Sequence, residues 1–189
     1  QINISISGQD IEVAEVVKAT MDEICKTPVE IKPHKRFKGF HISKSDTNFA
    51  KLLQEEYPEL IGTAHEKYIP DKILQASYDD LRNYIAGLFD TDGHNSSSHG
   101  RRSLSFTTVN LENARRVQQA LLSLGIACCL KPKKTSCKGK ESIAYRITIH
   151  SEFYDEFLEI IPMRIERKCI PSNSQRNNYS NKLPFRSEE

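Results

Sequence analysis

The chain has 189 residues, enough for one large domain or two smaller halves, and 38% of them are hydrophobic. Its formal net charge is only +2, so the total charge does not by itself indicate a strongly basic nucleic-acid-binding protein. No apolar run approaches the roughly 18 residues of a membrane helix, and QINISISGQD does not resemble a signal peptide. The five cysteines lack the spacing of a zinc site. We therefore expect an intracellular protein with reduced thiols and no membrane partner.

The first predicted elements are a strand, a helix, a hairpin and a second helix. INISIS alternates apolar and polar residues, which predicts a half-buried strand. Apolar residues then recur at helical spacing at Ile11, Ala14, Val17 and Met21. GFHIS is predicted to be the second strand of a hairpin with a basic tip, and TNFAKLLQEEYP is predicted to be the second helix.

The next predicted helix, YDDLRNYIAGLFDTDG, is apolar or small around most of its circumference. Ser77 followed by Asp80 forms a capping box, which predicts where this helix begins. Asn83, Gly87 and Thr91 fall on one narrow face. Because glycine lowers helix propensity, Gly87 predicts the close approach of another backbone, and a second helix of the same kind is the natural partner.

The sequence after this helix repeats the sequence before it. SLSFT matches INISIS as a strand, and Leu111, Ala114, Val117 and Leu121 match the apolar positions of the first helix at an offset of 100. A second hairpin strand, AYRIT, and a second helix, SEFYDEFLEIIP, follow in the same order. Both copies end in K-x-I-P. We therefore predict two copies of strand, helix, hairpin and helix.

The repeat predicts the organisation of the chain. We assign residues 1–75 to a first repeat, 76–171 to a second repeat that begins with the YDDLRNYIAGLFDTDG helix, and 172–189 to a tail or linker rich in Ser and Asn. The counterpart of that helix would precede Gln1. Three interpretations are open: the chain is a fragment, it takes a helix from a second polypeptide, or it dimerises.

The helix ends in two acids and a glycine, D-x-D-G. Two such helices packed side by side would bring their terminal carboxylates together, and paired carboxylates suit Mg²⁺. Metal ions at such a site can activate water and stabilise the leaving oxygen of a phosphodiester. The alternative is a polar helix end followed by a turn, which is the commoner meaning of the pattern alone.

IAGLFDTDG, residues 85–93, resembles the LAGLIDADG motif of homing endonucleases, and K-Y-I-P at residues 67–70 is similar to a block found upstream of that motif. The resemblance implies an α+β fold with two pseudo-symmetric αββαββα-like halves, each with a curved antiparallel sheet that lies in the DNA major groove. It implies two motif helices packed at a pseudo-twofold axis, with the first motif helix absent from this sequence.

The resemblance also implies roles for particular residues. Asp92 would bind the divalent metal with help from the Thr91 carbonyl, and Asp90 would be more structural. Lys67 would be a catalytic-site residue, and Lys168 follows from the repeat as a second one, since a lysine near the metal could stabilise developing charge. The expected cofactor is Mg²⁺, as two or three ions shared with the acid of a second motif. His94 is expected to be a loop residue.

Basic and polar residues on the predicted hairpins and strands are candidates for DNA contacts. Basic side chains would supply the salt-dependent phosphate contacts; they are His34, Lys35, Arg36, Lys38, Lys131, Lys133, Lys134, Lys138 and Lys140. A polar strand face could read base edges, and its residues are Arg101, Ser103, Ser105, Thr107, Arg146 and Thr148. A solvated polar face explains the alternation equally well.

The expected function is that of a site-specific double-strand DNA endonuclease, which hydrolyses phosphodiesters with metal ions at a long recognition site. The chain does not start with Cys or Ser and does not end in His-Asn, so it cannot splice itself as written. It could be an intein insert, intron-encoded or free-standing. The alternatives are a non-catalytic DNA-binding module of the same fold and an intron RNA maturase.

Overall fold

A computed structural model describes residues 2–25, 27–34, 38–98, 101–137 and 140–169. None of the helices in these ranges is long and apolar enough to cross a membrane. Of the residues predicted to contact DNA, three lie outside the described ranges: Lys35, Arg36 and Lys138.

The first half contains three strands and two helices in the predicted order. They are β1 (Ile2–Ser7), α1 (Ile11–Ile24), β2 (Ile31–Pro33), β3 (Gly39–Lys44) and α2 (Thr47–Glu56). The strands form an antiparallel sheet in the order β1-β3-β2. A short helix, α3 (Asp71–Leu74), then leads to the second half.

The second half has the element order αββαββα. Its elements are α4 (Tyr78–Asp92), β4 (His94–Ser98), β5 (Arg101–Thr108), α5 (Leu111–Ser123), β6 (Cys128–Cys137), β7 (Lys140–Ile149) and α6 (Tyr154–Ile160). The sheet order is β4-β5-β7-β6, and every neighbouring pair is antiparallel. Strands β1, β2 and β3 correspond to β5, β6 and β7, and the α+β fold that the resemblance implies is confirmed. Counterparts of α4 and β4 are absent from the described residues of the first half.

Local sequence explains where α4 begins and ends. The Asp80 N–H donates to Ser77 Oγ at 3.1 Å, which confirms the predicted cap. At the other end, the Gly93 N–H donates to the Phe89 carbonyl at 3.0 Å. A Cβ atom at Gly93 would lie only 2.3 Å from that carbonyl oxygen, so this position excludes every side chain. The glycine of the D-x-D-G pattern is therefore required by a close backbone contact.

The two halves have separate hydrophobic cores. In the second half, α4 contributes Ile85 and Phe89, which are fully buried, and the Phe89 ring lies 4.9 Å from the ring of Phe157. In the first half, a smaller core forms around Ile42 and Ala14. Because side chains alternate across a strand, the sheet faces away from these cores carry polar residues.

Candidate functional site: the end of the motif helix and the polar sheet faces

The two acids at the end of α4 lie in different environments. Asp90 is buried, at 3% exposure, and its carboxylate accepts the N–H groups of Arg164 and Ile165, each at 3.1 Å. Asp92 is exposed. The difference follows from helix geometry, because residues two positions apart project about 200° apart around the axis. Asp90 therefore anchors the chain that follows α6, and Asp92 is the carboxylate open to a ligand.

Lys168 is buried against the end of the same helix, at 5% exposure. Its ammonium donates to the carbonyls of Phe89, Asp90 and Thr91 at 3.1, 2.6 and 3.2 Å. Burial lowers the pKa of Lys168 and neighbouring Arg167 acts in the same direction, whereas nearby carboxylates raise it. The structure thus brings Lys168 to the end of the motif helix, and a catalytic role for it stays a prediction.

Lys168 also bears on the predicted use of the Thr91 carbonyl as a metal ligand. That oxygen already accepts one hydrogen bond from the ammonium. A carbonyl oxygen has two lone pairs, so one acceptor position is left. The Thr91 hydroxyl bonds back to the Gly87 carbonyl at 2.9 Å. A metal contact through the Thr91 carbonyl stays a prediction.

Lys67, the repeat counterpart of Lys168, lies in a different environment. Its side chain is exposed, and among the described residues its ammonium has no hydrogen-bond or ion-pair partner. Only its backbone is held, because Asn110 Nδ2 donates to the Lys67 carbonyl at 3.0 Å. The predicted catalytic role of Lys67 therefore rests on the resemblance.

The donor set at the end of α4 fits part of a magnesium site. Within the described ranges, no group of three or more His, Cys, Asp or Glu side chains could hold a metal ion. Mg²⁺, however, keeps several waters and is commonly bound through one or two carboxylates together with substrate phosphates. The exposed carboxylate of Asp92 is suited to that role, and a second carboxylate would complete the pair.

Strand register places most of the DNA-contacting residues predicted for the larger sheet on one polar face of that sheet. Thr107 is paired with Arg146, and Arg146 with Lys131. Residues directly opposite each other in paired strands lie on the same face. The described side chains on this face are His94, Ser96, Ser103, Ser105, Thr107, Cys129, Lys131, Lys133, Thr135, Ser142, Ala144, Arg146 and Thr148.

Two predicted contact residues are placed differently. Lys134 is paired with Ile143 and alternates with Lys133, so it lies on the opposite face of the sheet. Ser105 lies on the polar face but is only 7% exposed.

Arg101 lies in β5, and Lys140 begins β7. His94 begins β4 and is paired with Ser105, so the expectation that it lies in a loop is wrong.

The smaller sheet has an equivalent polar face. Lys32 is paired with His41, and the His41 ring lies 5.8 Å from the ring of His34, while Lys38 is exposed before β3. Sequence reasoning missed Lys32 and His41. The signal was available, because they match Lys131 and Arg146 in the repeat.

The matched positions share another property. Arg146 Nε and His41 Nδ1 are both buried, and neither has a hydrogen-bond partner among the described residues. Buried polar atoms are normally bonded, so each such exception requires an explanation. These two nitrogens belong to residues at equivalent positions on the two polar faces.

Comparison with known proteins agrees with this geometry. The model of the LAGLIDADG-like domain matches residues 79–162, which contain most of α4 and the whole larger sheet. I-WcaI bound to its DNA recognition sequence is similar with a TM-score of 0.61 and 15% identity over 89% of this chain and 74% of that one. I-DmoI in complex with DNA and Mn gives 0.60 and 14% over 85% and 79%. The N-terminal LAGLIDADG domain of DUF199/WhiA gives 0.54 and 13% over 88% and 75%.

Residues 79–162 match the LAGLIDADG-like domain, and the chain has the fold of the LAGLIDADG homing endonucleases. It is also similar to segments of curated proteins. It is 29% identical over 116 residues to the replicative DNA helicase DnaB of Mycobacterium intracellulare, and 29% identical over 147 residues to the ATP-dependent DNA helicase Hel308 of Methanocaldococcus jannaschii. These matches cover 61% and 71% of this chain but only 20% and 12% of the two relatives.

Proposed function

We propose that the protein is a site-specific double-strand DNA endonuclease. The observation that carries this proposal is Asp92, an exposed carboxylate at the end of the motif helix, which two buried side chains, Asp90 and Lys168, fix to the rest of the fold. A carboxylate that only ended a helix would not need a buried acid and a buried lysine beside it.

The polar faces of the two sheets are proposed to bind the DNA. Lys131 and Lys133 would contact phosphates, which position the duplex without reading its sequence. Arg146 and His41 lie at matched positions on the two polar faces, and their side chains are suited to base edges in the major groove, where acceptor patterns differ between base pairs. Relatives solved with their target DNA support a duplex as the partner.

The reaction requires a metal site at Asp92, and structures of I-DmoI contain DNA with Mg, Mn or Ca. When bound, Mg²⁺ would activate water and stabilise the leaving oxygen of the phosphodiester. We propose that a second carboxylate comes from a second motif helix packed on the Gly87 face of α4. That face is exposed, and nothing lies within 4 Å of a Cβ placed at Gly87. The helix could belong to a longer form of this chain or to another polypeptide.

The similarity to segments of other proteins suggests that the endonuclease is encoded as an insert within other proteins. DnaB and Hel308 are DNA helicases, whereas NrdEB of Bacillus subtilis is a ribonucleoside-diphosphate reductase subunit, and each matches this chain over only 6–20% of its own length. A segment shared by proteins with unrelated functions is expected of an inserted element. We propose that the chain is the endonuclease part of such an insert, with the uninterrupted host gene as its target.

Cleavage of the uninterrupted host gene with Mg²⁺ tests the function. The wild type is expected to cut both strands at one site, and Asp92→Asn is expected to bind the same DNA without cutting. Asp79→Asn is the matched control, because Asp79 is an exposed acid in the first turn of the same helix, about 20 Å away. It should cut normally.

The other outcomes are equally informative. Binding without cutting by the wild type would favour the non-catalytic DNA-binding module. Tighter binding to intron RNA than to DNA would favour a maturase. Loss of binding in Asp92→Asn would give Asp92 a structural role.

A further inference from the structure

The end of α4 and the segment of residues 164–168 are joined by hydrogen bonds in which each side both donates and accepts. Lys168 donates to the carbonyls that end the helix, and Asp90 of the helix accepts the backbone N–H groups just before Lys168. We infer that Lys168 is a positioning residue, whose ammonium holds the end of α4 so that Asp92 is fixed in place. This inference rests on the proposed function for the role of Asp92.

The number of donors limits what Lys168 can do. A lysine ammonium has three N–H groups, and three carbonyl oxygens lie within 3.2 Å of Nζ. The residue is also buried, with only 5% of its surface exposed. No N–H is left to donate to an attacking water or a phosphate unless a helix carbonyl is released. Lys168 could contact the reacting atoms only by giving up a hydrogen bond to the helix, whereas its three hydrogen bonds to the helix end are already formed.

A cation at this place also matches the chemistry of a helix end. The last carbonyls of a helix have no partner within the helix, and the helix dipole favours positive charge there. Gly93 supplies one N–H, to the Phe89 carbonyl. Lys168 satisfies Asp90 and Thr91, the two residues directly before Asp92. The lysine therefore acts on the backbone that determines where the Asp92 carboxylate projects.

The segment that carries Lys168 is itself held by the rest of the molecule. Asn95 Nδ2 donates to the Lys168 carbonyl at 3.0 Å. The Arg167 guanidinium binds both carboxylate oxygens of Asp10 in the first half, with Nη2 at 2.6 and 2.9 Å. Asp10 precedes α1 but makes no side-chain cap on it. Its carboxylate is instead committed to the segment beside Lys168, so the position of Lys168 depends on both halves.

The repeat gives Lys67 the corresponding position. Asn110, which matches Asp10, donates to the Lys67 carbonyl, so this segment is also held by the opposite half. The Lys67 ammonium has no partner among the described residues. By the same geometry, it would end the second motif helix that the proposed function requires.

Two substitutions test the inference. Lys168→Met keeps the length of the side chain and removes all three donors, and Lys168→Arg restores donors. The first measurement is amide hydrogen exchange of Gly93 and the last turn of α4 in the metal-free protein. The second is the affinity of the protein–DNA complex for Mn²⁺. The third is single-turnover cleavage across a Mn²⁺ series.

We expect Lys168→Met to accelerate exchange at the end of α4 about tenfold and to weaken Mn²⁺ binding roughly tenfold, as loss of outer partners of metal ligands does. DNA affinity should change less than twofold, and saturating Mn²⁺ should recover most of the cleavage rate. Lys168→Arg should regain part of the exchange protection and part of the Mn²⁺ affinity.

The opposite pattern would overturn the inference. If Lys168→Met lost cleavage at every Mn²⁺ concentration, with exchange and affinity unchanged, Lys168 would act on the reacting atoms. If no measurement changed, the lysine would have no positioning role. Failure of the proposed function is separate: a wild type whose Mn²⁺ affinity equals that of Asp92→Asn would refute the metal site, and amide exchange would still decide the position of Lys168.

If Lys168→Met does not fold, the inference can still be tested on the wild-type protein. A buried, hydrogen-bonded ammonium exchanges slowly with water, so the Lys168 NH₃⁺ group should give an observable ¹⁵N-correlated signal with NOEs to the α protons of residues 89–91. The absence of those NOEs from every observed ammonium signal would contradict the inference.

Discussion

The two halves share an order of strands and helices but differ in how well their helices are buried. In the second half, α5 buries Ala114, Val117, Ala120 and Leu121. In the first half, the matching helix α1 buries only Ala14 and Met21. Ile24 at the end of α1 is 51% exposed, whereas its counterpart Leu124 is 4% exposed.

The motif helix accounts for much of this difference. In the second half, α4 packs against α5 and the sheet and contributes Leu81, Ile85, Ala86 and Phe89 to the core. No equivalent helix is present in the described residues of the first half. Because burial of apolar surface is the main source of stability, the same sequence pattern gives a weaker core where this layer is absent.

Truncation of matched core residues should give the largest effect. Leu121→Ala is expected to cost about 3–4 kcal/mol of unfolding free energy, because Leu121 is fully buried in the larger core. Met21→Ala should cost about 2 kcal/mol, the lower end for such changes, since Met21 retains 5% exposure in the smaller core. Urea denaturation of both variants measures the difference. Equal costs would show that the two cores are equally well packed.

Local patterns in the sequence were sufficient to predict the helices and strands and their order, while the family resemblance supplied the fold class. The apolar spacing of α1 and α5, the alternation in β1 and β5, and the Ser77 cap each depend on a few neighbouring residues. Strand alternation also predicted most of the polar face. At the second hairpin, charge alone does not distinguish Lys133 from Lys134, although adjacent strand residues face opposite ways and only Lys133 lies on the polar face.

The site was predictable only in part, because its contacts join distant residues. Asp90 meets Arg164 and Ile165 across more than seventy positions, and Lys168 meets Asp90 across seventy-eight. No periodicity or local spacing in the sequence predicts a contact between residues so far apart. The resemblance singled out Asp92 and Lys67, and the internal repeat added Lys168, but neither could distinguish a lysine that touches a substrate from one that ends a helix.

The ion pair between the halves should give the next largest effect. Arg167→Met leaves the Asp10 carboxylate, whose side chain is 10% exposed, without its partner. We expect a loss of about 1–2 kcal/mol, reduced from the value for a buried pair because the arginine is 48% exposed. A double-mutant cycle with Asp10→Asn should recover most of this loss as coupling energy. Purely additive losses would show that the pair does not join the halves.

Gly87→Ala separates the stability of α4 from its proposed pairing. Nothing lies within 4 Å of the added Cβ, so the described chain should gain about 0.5–1 kcal/mol from helix propensity. The same methyl group would obstruct a second motif helix on this face, so cleavage should fall although stability rises. Thermal denaturation and cleavage assays measure the two effects. A variant that is more stable and cuts at the wild-type rate would remove the Gly87 face from the proposed pairing.

The smallest effect should appear in the salt dependence of DNA binding, where the two sheets can be compared directly. Lys131 and Lys32 occupy matched positions on the two polar faces, whereas Lys134 lies on the opposite face of the larger sheet. Each lost phosphate contact should reduce the log–log slope by roughly 0.9. We therefore expect Lys131→Ala and Lys32→Ala to reduce the slope equally and Lys134→Ala to leave it unchanged. If the slope fell only in Lys131→Ala, only the better-packed half would contact the DNA phosphates. The halves would then differ in function as well as in packing.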